Sequence, residues 1–240
     1  MNNYIDVHCH ALYGIDDGSR SIDESINIIN NLYNIGFNDI ILTPHYIDGT
    51  EYSCNNFGKK ILISTLKDRL NNPNIHLYLG NEIFLFDKIM EYVKNDEIMS
   101  LNSTKYLLIE FPMEYQINNT DEYLFKLISY GYIPVIAHPE RYGFIQKNPN
   151  EITKYINMGV LFQGNYASIT GRYGHHAERT LKFLLKHHYI SFLGSDTHHE
   201  TSTFYKDFAK MKRRIIAIVG NEEFTKLAYT NPLKIINRLD

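Results

Sequence analysis

Tyr4-Ile5-Asp6-Val7-His8-Cys9-His10 opens the chain with apolar residues that run into two histidines spaced two apart. In an extended strand side chains alternate, so residues i and i+2 share a face. His8 and His10 are therefore expected to point the same way, with Cys9 on the other side. Two neutral imidazoles side by side at a strand end form half of a metal site. An H-x-H pair is common in itself. Its meaning depends on whether other strands also end in ligands.

They do. Short apolar strands are predicted at residues 4–7, 39–42, 75–79, 106–109, 133–137, 160–163 and 190–193, each followed by helical sequence. The first helix opens with a capping box, Ser21-x-x-Glu24, carries Ile22, Ile26, Ile29 and Tyr33, and stops at Gly36. Further helices are predicted at 59–70, 87–94, 121–130, 150–158 and 172–186, and in the tail at 205–218, 222–227 and 232–238. Such alternation implies a parallel sheet with right-handed crossovers. Seven units in one domain suggest a closed barrel more than an open sheet, and in barrels functional residues gather at the C-terminal ends of the strands.

The residues just past each predicted strand are His8 and His10, His45, Glu82, Glu110, His138, then Gln163 with Asn165, and last Asp196 with His198. Six of the seven strands thus end in a histidine or carboxylate, and the sixth ends in amides. Other histidines read differently. His76 opens a strand at the opposite end, and His187 and His188 close a helix where they suit its dipole. His175 and His176 near a helix start, and His199, read as surface residues.

An all-imidazole and carboxylate set suits zinc, manganese or iron and excludes a sulfur-rich structural zinc. There are too many ligands for one tetrahedral ion. A carboxylate such as Glu82 can bridge neighbouring ions, which lie about 3.5–4 Å apart in two-metal sites. Arg141, three residues past His138, offers a planar fork for a phosphate, or else pairs with Glu140 at the surface. Asp16 and Asp17 either cap the turn at Gly18, hold a metal, or protonate a leaving oxygen.

Composition narrows the function classes. The 240 residues are 44% apolar with a formal charge of −3 and a pI near 6.4, which argues against a general nucleic-acid surface. No leader and no run of 18 apolar residues is seen, so neither secretion nor membrane insertion is expected. Two cysteines, Cys9 and Cys54, are too few for a disulfide framework and fit a reducing cytoplasm.

Asp-x-His-x-His at the start, Thr-Pro-His45, Gly-x-Glu82, Ile-Glu110-Phe, Ala-His138-Pro-Glu-Arg141 and Ser-Asp196-x-His198 together resemble the PHP (polymerase and histidinol phosphatase) superfamily. His10-x6-Asp17-Gly18, the His-Pro-Glu-Arg-Tyr run at 138–142, Gly171-Arg172-Tyr173-Gly174 and Asn231-Pro232 narrow the resemblance. They look like the manganese-dependent bacterial protein tyrosine phosphatases of the CpsB/CapC type.

The resemblance implies a distorted, TIM-like (β/α)7 barrel in a single domain over residues 1–240, holding three divalent ions. Manganese is the expected metal, with iron, zinc or magnesium as alternatives. It maps His8, His10, His45, Glu82, Glu110, His138, Asp196 and His198 onto metal ligands, Arg141 onto the phosphate-binding arginine and Asp17 onto the general acid. The implied reaction is phosphomonoester hydrolysis by attack of a metal-bound hydroxide, without a phosphoenzyme. The implied substrate is phosphotyrosine on a capsule-type bacterial tyrosine kinase that governs capsule or exopolysaccharide assembly.

A cysteine-dependent tyrosine phosphatase needs Cys-x5-Arg, yet Ile15 and Lys60 stand where that arginine would be. The rival enzyme is a phosphatase of a small phosphoester such as histidinol phosphate, which would need a closed pocket with more cations. A non-catalytic metal-binding regulatory module is the third alternative, and the intact ligand set argues against it.

Overall fold

Parallel strands and intervening helices alternate along residues 3–237, the part described in this computed structural model. In chain order they are β1 (Tyr4–Cys9), α1 (Ile22–Asn34), β2 (Phe37–Leu42), β3 (His45–Tyr46), α2 (Asn56–Arg69), β4 (His76–Leu79), β5 (Glu82–Phe84) and α3 (Ile89–Lys94). Then come β6 (Tyr106–Glu110), α4 (Thr120–Ser129), β7 (Ile133–Ala137), α5 (Gly143–Lys147), α6 (Ile152–Asn157) and β8 (Leu161–Asn165). The chain closes with α7 (His175–Lys186), β9 (Phe192–Gly194), α8 (Phe204–Thr225) and α9 (Asn231–Ile236). Arg238, the expected end of the last helix, lies outside the described residues.

The strands form two parallel sheets, β1-β2-β4 and β3-β5-β6-β7-β8-β9. Two strands, β3 and β5, lie beyond those expected. The second expected strand ends in a break at Thr43-Pro44, because proline brings no N–H to a ladder, and β3 follows it. The third ends in a break at Gly80-Asn81, and β5 follows it. Hydrogen bonds cross the breaks: the Gly80 N–H donates to Leu42 O at 2.9 Å and the Glu82 N–H to Pro44 O at 3.2 Å. At the other edge, the segment after β9 meets β1. There the Asp196 N–H donates to His8 O at 2.9 Å and the His10 N–H to Thr197 O at 3.0 Å.

Helix ends follow local chemistry. Ser21 accepts from the Glu24 N–H, while the Glu24 carboxylate takes the Arg20 N–H, one residue earlier than a full capping box. The helix expected from Arg172 begins instead at His175, because Gly171 and Gly174 take left-handed backbone (φ 80° and 93°) and hold Arg172-Tyr173 in a turn. The expected break between two tail helices falls at Gly220 (φ 82°), a conformation glycine adopts without strain.

The larger apolar core packs helices such as α1 and α7 against the strands, and buries Cys9. A smaller cluster joins Ile5, Val7, Leu108, Val135 and Phe192 to Ile235 of α9. In β1 the three steps from Asp6 to Cys9 match only two from Ile40 to Leu42 on β2. That extra residue is a bulge, a device that re-aims side chains next to sites.

Candidate metal centre

The strand ends converge. His8 Nε2 lies 3.0 Å from His10 Nε2, and Glu82 Oε2 lies 3.1 Å from the first and 3.2 Å from the second. All three side chains are buried. Donor atoms bound to one ion at about 2.0–2.2 Å stand roughly 3.0–3.5 Å apart. The triangle therefore already has the spacing of a coordination shell. Asp196 Oδ1 sits 3.6 Å from both imidazoles.

Glu82 also reaches the other way. Its Oε1 is 2.9 Å from His138 Nε2, and Oε2 is 3.1 Å from His45 Nδ1. Glu110 adds Oε1 at 3.6 Å from His138 Nε2 and Oε2 at 3.8 Å from His45 Nδ1. On the outer side Asp17 Oδ1 lies 3.6 Å from both His45 Nε2 and His198 Nε2. Three groups thus place ligand atoms close enough to share an ion: His8-His10-Glu82, His45-Glu82-Glu110 and His10-Asp17-His45-His198.

The remaining polar contacts orient these groups. Asp16 is turned inward, accepting from His10 Nδ1 at 2.8 Å, from the His45 N–H at 3.0 Å and from the Gly18 N–H at 3.0 Å. Fixing the Nδ1 proton leaves the Nε2 lone pair for a metal. Gln163 does the same for His8, whose Nδ1–H donates to Oε1 at 2.7 Å. Gln163 Nε2 donates onward to Asn165 Oδ1 at 2.9 Å, and Asn165 Nδ2 donates to Asp196 Oδ2 at 2.7 Å. The sixth strand therefore contributes no ligand but a relay joining His8 to Asp196. Gly194 makes room for it, since a Cβ there would stand 2.8 Å from both His8 Cβ and Gln163 Nε2.

His138 (φ 33°) and Asp196 (φ 52°) hold left-handed backbone, which side-chain-bearing residues adopt at a cost of order 1–3 kcal/mol and mostly at functional sites. Electrostatics tell the same story. Burial, with Glu82 and Asp196 nearby, pushes the Glu110 carboxyl up to about 9. Burial and Arg141 hold His138 down to about 4, and burial and His10 hold His198 down to about 4. The lowered imidazoles of His138 and His198 and the crowded buried carboxylates are what bound cations would compensate. His138 Nδ1 and His45 Nδ1 are buried without a hydrogen-bond partner. The donor set fits divalent metal.

Arg141 does not pair with Glu140. Its Nη1 donates to Asp196 Oδ2 at 3.0 Å, and its guanidinium lies 4.5 Å from the Tyr173 ring centroid. Glu140 is buried instead and accepts from the Asn165 N–H at 2.9 Å and Ser168 Oγ at 2.6 Å. Residues that the motifs left without a role are Asp6, which ties β1 to Ser195, and Tyr173, whose hydroxyl lies 3.3 Å from Asp196 Oδ2. A hidden bulge and a glycine-bounded turn set their positions.

The other histidines stay away. His76 pairs with Asp39, His187 with Phe183 O, His188 with Glu223 and His199 with Glu24. His175 and His176 are exposed.

Residues 4–237 match the protein family described as "Capsular polysaccharide synthesis, CpsB/CapC". A Staphylococcus aureus relative named CapC is 34% identical over 200 residues, covering 82% of this chain and 78% of the relative. The tyrosine-protein phosphatase YwqE of Bacillus subtilis is 32% identical over 204 residues, covering 84% and 80%. A crystal structure from work on YwqE of Bacillus subtilis and CpsB of Streptococcus pneumoniae, called unique metal-dependent tyrosine phosphatases, superposes with a TM-score of 0.90 at 28% identity. It covers 98% of this chain and 95% of that one.

Proposed function

The chain belongs to the CpsB/CapC family, and from that premise we propose that it is a metal-dependent protein-tyrosine phosphatase serving capsular polysaccharide synthesis. One observation carries the reading: the buried triangle of His8 Nε2, His10 Nε2 and Glu82 Oε2, 3.0–3.2 Å on each side, in a fold shared with metal-dependent tyrosine phosphatases. The ligands are His8, His10, His45, Glu82, Glu110, His138, Asp196 and His198, holding three divalent ions, manganese by preference.

Divalent ions in this position lower the pKa of water and neutralise charge on a phosphate. The chain's own groups do the rest. Arg141 is anchored by one nitrogen on Asp196, and its remaining N–H groups are available to a phosphate oxygen. Tyr173 stacks beneath that guanidinium and keeps it aimed. Asp17, 53% exposed at the rim, is placed to deliver a proton to the phenolic oxygen as tyrosine departs. Neither cysteine takes part: Cys9 is fully buried and its thiol is pushed well up by burial and Asp6.

The two sheets are read as one distorted (β/α)7 barrel, a single domain. The hydrogen bonds across the Pro44 and Gly80 breaks and between β1 and the segment after β9 support closure. The partner follows from the family's process: a capsule-type tyrosine kinase bearing phosphotyrosine, met in the cytoplasm. Among the described residues no helix is long and apolar enough to cross a membrane.

The test is hydrolysis of phosphotyrosyl peptides by purified protein with Mn²⁺. Activity is expected to vanish with EDTA, return with metal and survive thiol alkylation. Activity that persists after full chelation sinks the metal mechanism.

A further inference from the structure

Beside the metal ligands lies a cavity of about 400 Å³. It is lined by Arg141, Asp196 and His198 of the cluster together with Arg172, Tyr173 and Thr203. Arg172 sits in the glycine-bounded turn before α7, exposed, and its Nη1 donates to Thr203 Oγ1 at 3.0 Å. Among the described residues it meets that hydroxyl and forms no ion pair with a carboxylate. Arg141 differs, being committed to Asp196 and Tyr173. Arg172 is thus a guanidinium braced across two loops, with donors left over.

The two sides of the mouth differ. Arg172 stands exposed on one of them. Across the mouth, Tyr52 stacks on His45 with ring centroids 6.3 Å apart. Asp17 lies on this side, its Oδ1 3.6 Å from His45 Nε2. A peptide laid over the ligands has one flank toward Arg172 and the other toward Tyr52.

We propose that this cavity is a subsite for the residue next to phosphotyrosine, and that Arg172 selects an acidic side chain there. The inference rests on the tyrosine phosphatase reading. A guanidinium fork takes a carboxylate in two parallel hydrogen bonds. At an exposed rim such a pair contributes up to about fivefold in affinity. An acidic residue on the opposite flank lies away from Arg172 and gains no such pair, so the preference is one-sided.

The experiment compares kcat/KM for phosphotyrosyl peptides carrying Glu on the amino flank only, Glu on the carboxyl flank only, Gln on both flanks, or Lys on either flank. Wild type is expected to favour one of the two Glu peptides over the Gln peptide by up to about fivefold, through KM. Arg172→Gln should erase that preference, and Arg172→Glu should transfer it to the Lys peptide with the same flank. Such a swap cannot come from misfolding. Equal turnover of all peptides by wild type, or a preference that survives Arg172→Gln, overturns the subsite alone. Failure to hydrolyse any phosphotyrosyl peptide while p-nitrophenyl phosphate is hydrolysed overturns the parent reading with it.

Discussion

Asp6 and Ser195 stand 189 positions apart, yet the Ser195 N–H donates to Asp6 Oδ1 at 2.9 Å. The same oxygen accepts the His8 N–H at 3.3 Å. One buried carboxylate therefore holds the backbone beside His8 of the first strand and Asp196 beyond the last. It ties the segments that carry His8 and Asp196 to each other. Asp6→Ala should weaken metal binding by about 10–100-fold, the scale seen when the partners that orient ligands are lost. Asp6→Asn keeps an acceptor oxygen and should lose less. Competition against a fluorescent chelator measures both. Equal affinity in wild type and Asp6→Ala would show the staple to be idle.

Gln163→Leu removes the acceptor that fixes the proton on His8 Nδ1, and it cuts the relay to Asn165 and Asp196. His8 is then free to turn or to change tautomer. A loss of about 10–100-fold in metal affinity is expected, with the far-ultraviolet circular dichroism unchanged. Unaltered metal affinity would leave Gln163 as packing only.

Arg141→Ala should lower kcat on phosphotyrosyl peptides by ~10²–10³, as when one charge-stabilising donor is removed. Unchanged steady-state kinetics would strip Arg141 of its role at the phosphate.

Lys59 is buried in α2, where its Nζ donates to Asn81 Oδ1, and burial holds its ammonium down to about 7 from an ordinary 10.5. Between those pH values the unfolded chain keeps a proton that the folded chain has released, so stability rises with pH across that window. Below pH 7 both states are protonated and the full penalty stands. Lys59→Met should therefore exceed wild type by up to about 4 kcal/mol near pH 6.5, and the gap should close toward pH 10. Urea unfolding at pH 6.5 and 9.5 checks this; a gap independent of pH would contradict it.

Much of this site can be read from alternation and strand ends. Period two put His8 and His10 together and Cys9 in the core, and the strand-end census found the carboxylates around them. Three features escaped that logic. The bulge between Asp6 and Cys9 breaks strict alternation and has no sequence mark. Asp16 and Asp17 are neighbours of the same type, and only the turn closed by Gly18 sends one inward to His10 and leaves the other at the rim. A Cβ at Gly18 would stand 2.2 Å from His10 O, so that turn requires glycine. Lys59 lies on a helix where a lysine ordinarily faces water, and its burial depends on Asn81 from a distant strand end.

The most direct measurement is elemental analysis of manganese-reconstituted protein, wild type beside Glu82→Ala. Glu82 lies within 3.2 Å of His8, His10, His45 and His138, so it is the carboxylate on which neighbouring ions would depend together. Wild type is expected to retain more than one equivalent of manganese per chain, and Glu82→Ala to lose most of it along with phosphotyrosine hydrolysis. Full manganese occupancy in Glu82→Ala would contradict the shared centre.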